Sequence, residues 1–113
     1  MSKNGRESLF QDAWSAETSA DPAGWRADNP SWGQCAVTAL VVQDILGGEL
    51  LRSTVGGISH YWNRIDGVEL DLTLRQFGSG WLDAPPVVRE RDYVLSFPDT
   101  AERYRLLRER MGL

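Results

Sequence analysis

The chain has 113 residues, of which 42% are hydrophobic and 25% charged, with a net charge of −4, one cysteine and one histidine. That length is near the commonest domain size, so one domain over residues 1–113 is expected. A lone cysteine excludes an internal disulfide, the acidic balance argues against general nucleic-acid binding, and no apolar run approaches the ~18 residues of a membrane span.

The polar opening MSKNGRESLF does not read as a signal peptide, and with the unpaired cysteine it points to a cytoplasmic, reducing location. In SLFQDAWSAET, Leu9, Phe10, Ala13 and Trp14 share one face, which predicts a short helix capped by Ser8. Residues 19–33, SADPAGWRADNPSWG, are rich in Pro, Gly, Asp and Asn and predict an irregular loop. Its tryptophans imply a loop packed onto the body, forming one wall of a cleft. QCAVTALVVQDILGG follows. It is apolar almost all round and too long for a typical strand, which predicts a central buried helix ended by Gly47-Gly48, with Cys35 in its first turn.

Beyond the helix the period changes to two. GELLRSTV, SHYWNRI and VELDLTL are strand candidates, and Asp66-Gly67 joins the last two as a hairpin turn. Residues 76–94 read as loop. DTAERYRLLRERM predicts an amphipathic C-terminal helix capped by Asp99 or Thr100, with Glu102 in its first turn. The expected fold class is α+β: a buried central helix on a small antiparallel sheet of about three or more strands, with N- and C-terminal helices.

A two-residue turn at Asp66-Gly67 pairs Ile65 with Val68 and, counting outward, His60 with Thr73. His60, Trp62, Asp71 and Thr73 then share a face, and His60 and Asp71 are diagonal neighbours. Asp71 can hold one imidazole nitrogen and leave the other free; Glu69, on the same face, is the substitute. Cys35 at a helix N-terminus meets a condition that favours thiolate, and a nearby imidazolium is a second. Nucleophile, base and orienting carboxylate together form the generalised triad Cys35, His60, Asp71. Candidate oxyanion donors are the Cys35 N–H, the Gln34 side chain, or a group in the Trp25–Trp32 loop, with Asn29, Trp32 and Trp62 as cleft residues. Arg52 and Arg64 are candidates for a substrate carboxylate, or are simply solvated strand charges. One Cys and one His fall short of a zinc set, GGELLRSTVGG lacks phosphate-loop spacing, and neither metal nor cofactor is expected.

A buried helix opening with Cys, then a strand bearing His, then the next strand bearing Asp, resembles the papain-like and transglutaminase-like thiol enzymes. HYWNRIDGVELDLT resembles the transglutaminase-core pattern. More closely, NPSWGQCAVTALVVQDILGGELLR with SHYWNRIDGVELDLTLRQF resembles the small bacterial YunG-like family. The thiol-enzyme resemblance implies a papain/transglutaminase-like core, with Cys35 as nucleophile, His60 as general base and Asp71 as orienting acid. It implies hydrolysis or acyl transfer on a small amide, an isopeptide or a single protein side chain, since the chain has no room for a second lobe. Gln34 departs from that pattern, because papain-like enzymes place the oxyanion glutamine several residues before the Cys. Two other readings share the sequence: a non-catalytic binding module on the same fold, and an interaction protein whose C-terminal helix binds a partner through Tyr104, Leu106 and Leu107. The oligomeric state is not encoded in any feature of the sequence.

Overall fold

The computed structural model describes the backbone of residues 3–77 and 82–113 and, within them, the side chains other than those of 3–7 and 75. The central helix, α2, spans Cys35–Leu46, and Val37, Leu40 and Val41 on it are wholly buried. Its twelve residues hold no internal Gly or Pro, and its apolar circumference demands cover on several sides.

The cover comes from three directions. Helix α1 (Lys3–Ala13) contributes Phe10, and the residue after the helix is Trp14, whose indole N–H donates to Thr38 Oγ1 of α2 at 2.9 Å. The helix starts five residues before Ser8, so Ser8 is not its cap, and Leu9 faces solvent rather than the core. The C-terminal helix, α4 (Pro98–Arg110), lays Tyr104 and Leu107 on α2. It begins with Pro98 at its first position, where the missing N–H has no helical partner to lose, so neither Asp99 nor Thr100 caps it. Leu107 has no exposed surface, which removes it from any partner-binding face.

The third cover is a sheet: β1 (Glu49–Val55), β2 (Ile58–Ile65), β3 (Val68–Leu70) and β4 (Val87–Arg89), antiparallel throughout, in the order β3-β2-β1-β4. The strand β4 and all but the last residue of the short helix α3 (Arg91–Leu95) lie within residues 76–94, where a loop is expected. Three-residue strands after Pro85-Pro86 leave no readable alternation, and β1 recruits this one by pairing. Residues 78–81 of the same stretch are outside the described ones.

The hairpin register Ile65–Val68, Arg64–Glu69, Asn63–Leu70 matches the turn chemistry. Asp66 and Gly67 both take positive φ, 52° and 80°, which only a primed turn requires and which Gly supplies at no steric cost. Pairing stops at Leu70. Asp71 and Thr73 therefore lie beyond the strand, not opposite Trp62 and His60.

Residues 19–33 form the expected irregular loop, and its ends meet. The Ala20 N–H donates to the Gly33 carbonyl at 2.9 Å and the Ser19 hydroxyl to the Trp32 carbonyl at 2.8 Å. Gly33 is required there. Its φ is +73°, and a Cβ would stand 2.2 Å from Ser19 Oγ. This closure delivers the chain into Cys35.

Candidate active site

The site begins where α2 begins. Cys35 is its first residue and is 9% exposed. No side chain caps the helix, because Gln34 points the other way: wholly buried, it accepts from Thr18 Oγ1 at 2.8 Å and donates to the Ser15 carbonyl at 2.9 Å. The Gln34 amide thus ties down the segment after α1 and presents no surface toward a substrate. It also leaves the first-turn N–H groups, that of Cys35 among them, without a side-chain acceptor.

His60 comes from β2. Tyr61 and Asn63 face α2, the Asn63 amide donating to the Ala39 carbonyl at 2.9 Å, so alternation turns His60 to the opposite face. The Cys35 sulfur lies against the strand itself, 3.7 Å from the Ser59 carbonyl, and from there its interaction with the imidazole reaches across. The ring has no exposed surface. Trp62 stacks on one face at 5.3 Å between centroids, and Phe77 meets it edge-on at 4.9 Å.

Asp71 fixes the third direction. Its Oδ2 is 2.5 Å from His60 Nε2; a carboxylate only accepts, so Nε2 carries the proton. Its Oδ1 accepts from both the N–H and the hydroxyl of Thr73, at 3.1 and 3.3 Å, an Asx turn that sets the carboxylate once the strand has ended. Glu69, the alternative on the strand, is taken by the Trp62 indole N–H at 2.6 Å. With Nε2 engaged, His60 Nδ1 is left buried with no hydrogen-bond partner among the described residues.

Burial alone would push the imidazole pKa down. The Asp71 carboxylate outweighs it, with a smaller contribution from the Cys35 sulfur, and the pKa is pushed up to about 9. At neutral pH the ring is an imidazolium beside the chain's only thiol.

The remaining cleft residues divide. Asn29 donates to the Gln76 carbonyl at 3.1 Å, and the Trp32 indole N–H donates to Asp21 at 3.1 Å while its ring meets Phe77 edge-on. Both brace the loop against the segment after Asp71. Gln76, which sequence reasoning passed over, accepts from the Gly33 N–H at 2.9 Å and is almost wholly buried. Only the polar spacing of LRQF marks it, and nothing distinguishes that from an exposed turn.

A cavity of about 310 Å3 opens beside the sulfur, with Cys35, Arg52, Ser59 and Tyr61 in its wall. A larger depression of about 600 Å3 lies between α4 and the N-terminal loop, but it is lined by Glu17, Asp99, Glu102 and Glu109 and holds none of these groups.

No helix among the described residues is long and apolar enough to cross a membrane. No solved structure matches the chain. A curated relative, "Uncharacterized protein YunG" of Bacillus subtilis (strain 168), is 36% identical over 102 residues, covering 89% of this chain and 84% of its own. The family model described as YunG protein matches residues 4–112, which takes in the loop, α2, the hairpin and Asp71 alike, and the chain belongs to the YunG family.

Proposed function

We propose that the chain is a cysteine-nucleophile enzyme that hydrolyses or transfers the acyl group of a small amide or of one protein side chain. One observation carries the reading: a wholly buried imidazole, held at Nε2 by Asp71, leaves Nδ1 unpaired next to the only thiol. An unpaired buried polar group costs about 1–3 kcal/mol, so a structural histidine at this position would be expected to find a partner. The order Cys, His, Asp, shared with papain-like and transglutaminase-like thiol enzymes, supports the same assignment.

The chemistry follows from the charges. Cys35 as thiolate attacks the substrate carbonyl carbon, and the oxyanion forms at the open N-terminus of α2, where the Cys35 N–H points. The His60 Nδ1–H gives its proton to the leaving amine as the C–N bond breaks, and a thioester remains. Water, or a second amine, then attacks the thioester. Nδ1 takes the proton, the C–S bond breaks, and thiolate and imidazolium are restored. Asp71 holds Nε2–H throughout and stays ionised.

The test is covalent capture. Incubation with p-nitrophenyl acetate should release a burst of one nitrophenolate per chain and add one acetyl group to Cys35, removable by hydroxylamine. The Cys35→Ala variant should give neither. Equal acetylation of the wild type and Cys35→Ala, spread over surface amines, would contradict the proposal and favour a binding module.

A further inference from the structure

We propose that Arg52 binds a substrate carboxylate beside Cys35, so that the preferred substrates are compact amides carrying a negative charge close to the scissile bond. The assignment rests on the reading of Cys35 as nucleophile and adds to it the charge of what Cys35 attacks.

Ser59 provides the geometry. Its carbonyl lies 3.7 Å from the Cys35 sulfur, and its hydroxyl accepts from Arg52 Nε at 3.1 Å. One residue thus spans thiol and guanidinium. Both line the 310 Å3 cavity, a volume at the lower end of small-molecule sites. That size suits one small amide or one side chain, not an extended peptide.

The guanidinium is available. Three arginines invite comparison. Arg64 pairs with Glu49 at 2.9 Å, away from the cavity. Arg103 lines the cavity but is consumed by Asp99 at 2.8 Å, the Thr18 carbonyl at 3.1 Å and the Thr100 hydroxyl. Arg52 has, among the described residues, only the Ser59 hydroxyl, and its terminal nitrogens meet no carboxylate. Among the described residues no acidic side chain lines the cavity, although the chain as a whole is acidic and the neighbouring larger depression carries four.

A second cation reinforces the field. In the sheet register Arg52 faces Val87 and Leu50 faces Arg89, so Arg52 and Arg89 are diagonal neighbours on one face. Arg89 lies over the Tyr93 ring at 5.5 Å, and its Nε is buried without a partner. Burial pushes the Tyr61 phenol up, and both guanidiniums act against it. A planar guanidinium with free terminal N–H groups matches a carboxylate in two-point geometry. Tyr93 and Phe97, which also line the cavity, meet edge-on at 5.5 Å and offer an apolar surface to the uncharged part of the substrate.

Two reagents that differ only in charge test this without knowing the substrate. Iodoacetate and iodoacetamide both alkylate the single cysteine, and the ratio of their second-order rates at low ionic strength reports the carboxylate preference. Arg52→Gln should lower that ratio about five- to twentyfold, with the iodoacetamide rate little changed. Arg52→Lys should retain only part of the ratio, and Arg64→Gln all of it. Glutarate should protect the wild type from iodoacetamide and fail to protect Arg52→Gln. A ratio unchanged in folded Arg52→Gln, or equal protection of both proteins, would overturn the assignment of Arg52. An iodoacetamide rate indifferent to His60→Ala would instead overturn the nucleophile reading and the inference with it.

Discussion

Two polar clusters in this protein are built on opposite rules. Between α2, α3 and α4, Asp44 accepts from Tyr104 at 2.5 Å, from Arg91 at 2.8 Å and from Arg108 at 2.9 Å, and Arg91 also bonds Tyr104 and Gln43. Both carboxylate oxygens of Asp44 and the Tyr104 hydroxyl have partners, as a structural network must. At the start of α2 the cluster of Cys35, His60 and Asp71 stops one bond short: among the described residues His60 Nδ1 has no partner, and no side chain caps the helix beside it. Satisfied polar groups hold a fold together. A pre-set group left unsatisfied next to a thiol is what a reacting carbonyl and leaving group need.

The contrast can be broken by substitution. The largest effect is expected for Cys35→Ala, which should abolish acyl capture, a loss of at least about 1,000-fold, while changing stability by no more than about 1 kcal/mol. Intact mass and urea unfolding of the same sample check both halves. Asp71→Asn keeps the acceptor for Thr73 but removes the charge behind the imidazole. Alkylation of Cys35 at pH 6 should slow by roughly 10–100-fold in stopped assays. Asp44→Asn should do the reverse: a stability loss of about 1–3 kcal/mol in chemical denaturation, with Cys35 reactivity at wild-type rates. Loss of reactivity in Asp44→Asn without loss of stability would dissolve the distinction between the clusters.

The smallest expected effect is a pH dependence. Folding raises the His60 pKa from 6.5 to about 9, so the folded state favours the protonated ring. The stabilisation is complete below pH 6.5 and is lost as pH rises through 9. The melting temperature should therefore fall between those values, by about 5 °C or more for a chain of this size, and the slope should flatten in Asp71→Asn. A melting temperature that rises across the same window would show that the ring is held neutral.

Local signals were legible in the residues themselves. The apolar run after Cys35 could only be a covered helix, and Asp66-Gly67 set the register that places His60 and Trp62 on one face. The route by which Asp71 reaches His60 was not legible. The strand ends at Leu70, and the Asx turn onto Thr73, not a cross-strand diagonal, brings the carboxylate in. Long-range recruitment was equally hidden. The strand β4 exists because β1 has a free edge, Gln76 matters because Gly33 needs an acceptor, and Gln34 is spoken for by Thr18 and Ser15. None of these partners is near in sequence, so no periodicity or spacing announces them. The same holds for Leu107: it reads as one face of an amphipathic helix, and only the position of α2 shows which face is covered.

The central claim is that His60 and Cys35 act as a unit, and the most direct measurement is the rate of Cys35 alkylation by iodoacetamide from pH 5 to 9, in wild type and in His60→Ala. With one cysteine in the chain the signal has a single source. The account predicts fast alkylation already at pH 6 in the wild type, and in His60→Ala a rate at least about tenfold lower at pH 6 that climbs with pH as a simple thiol's does. Two superimposable profiles, both climbing in that ordinary way, would contradict it and leave Cys35 as a packing residue at the head of a buried helix.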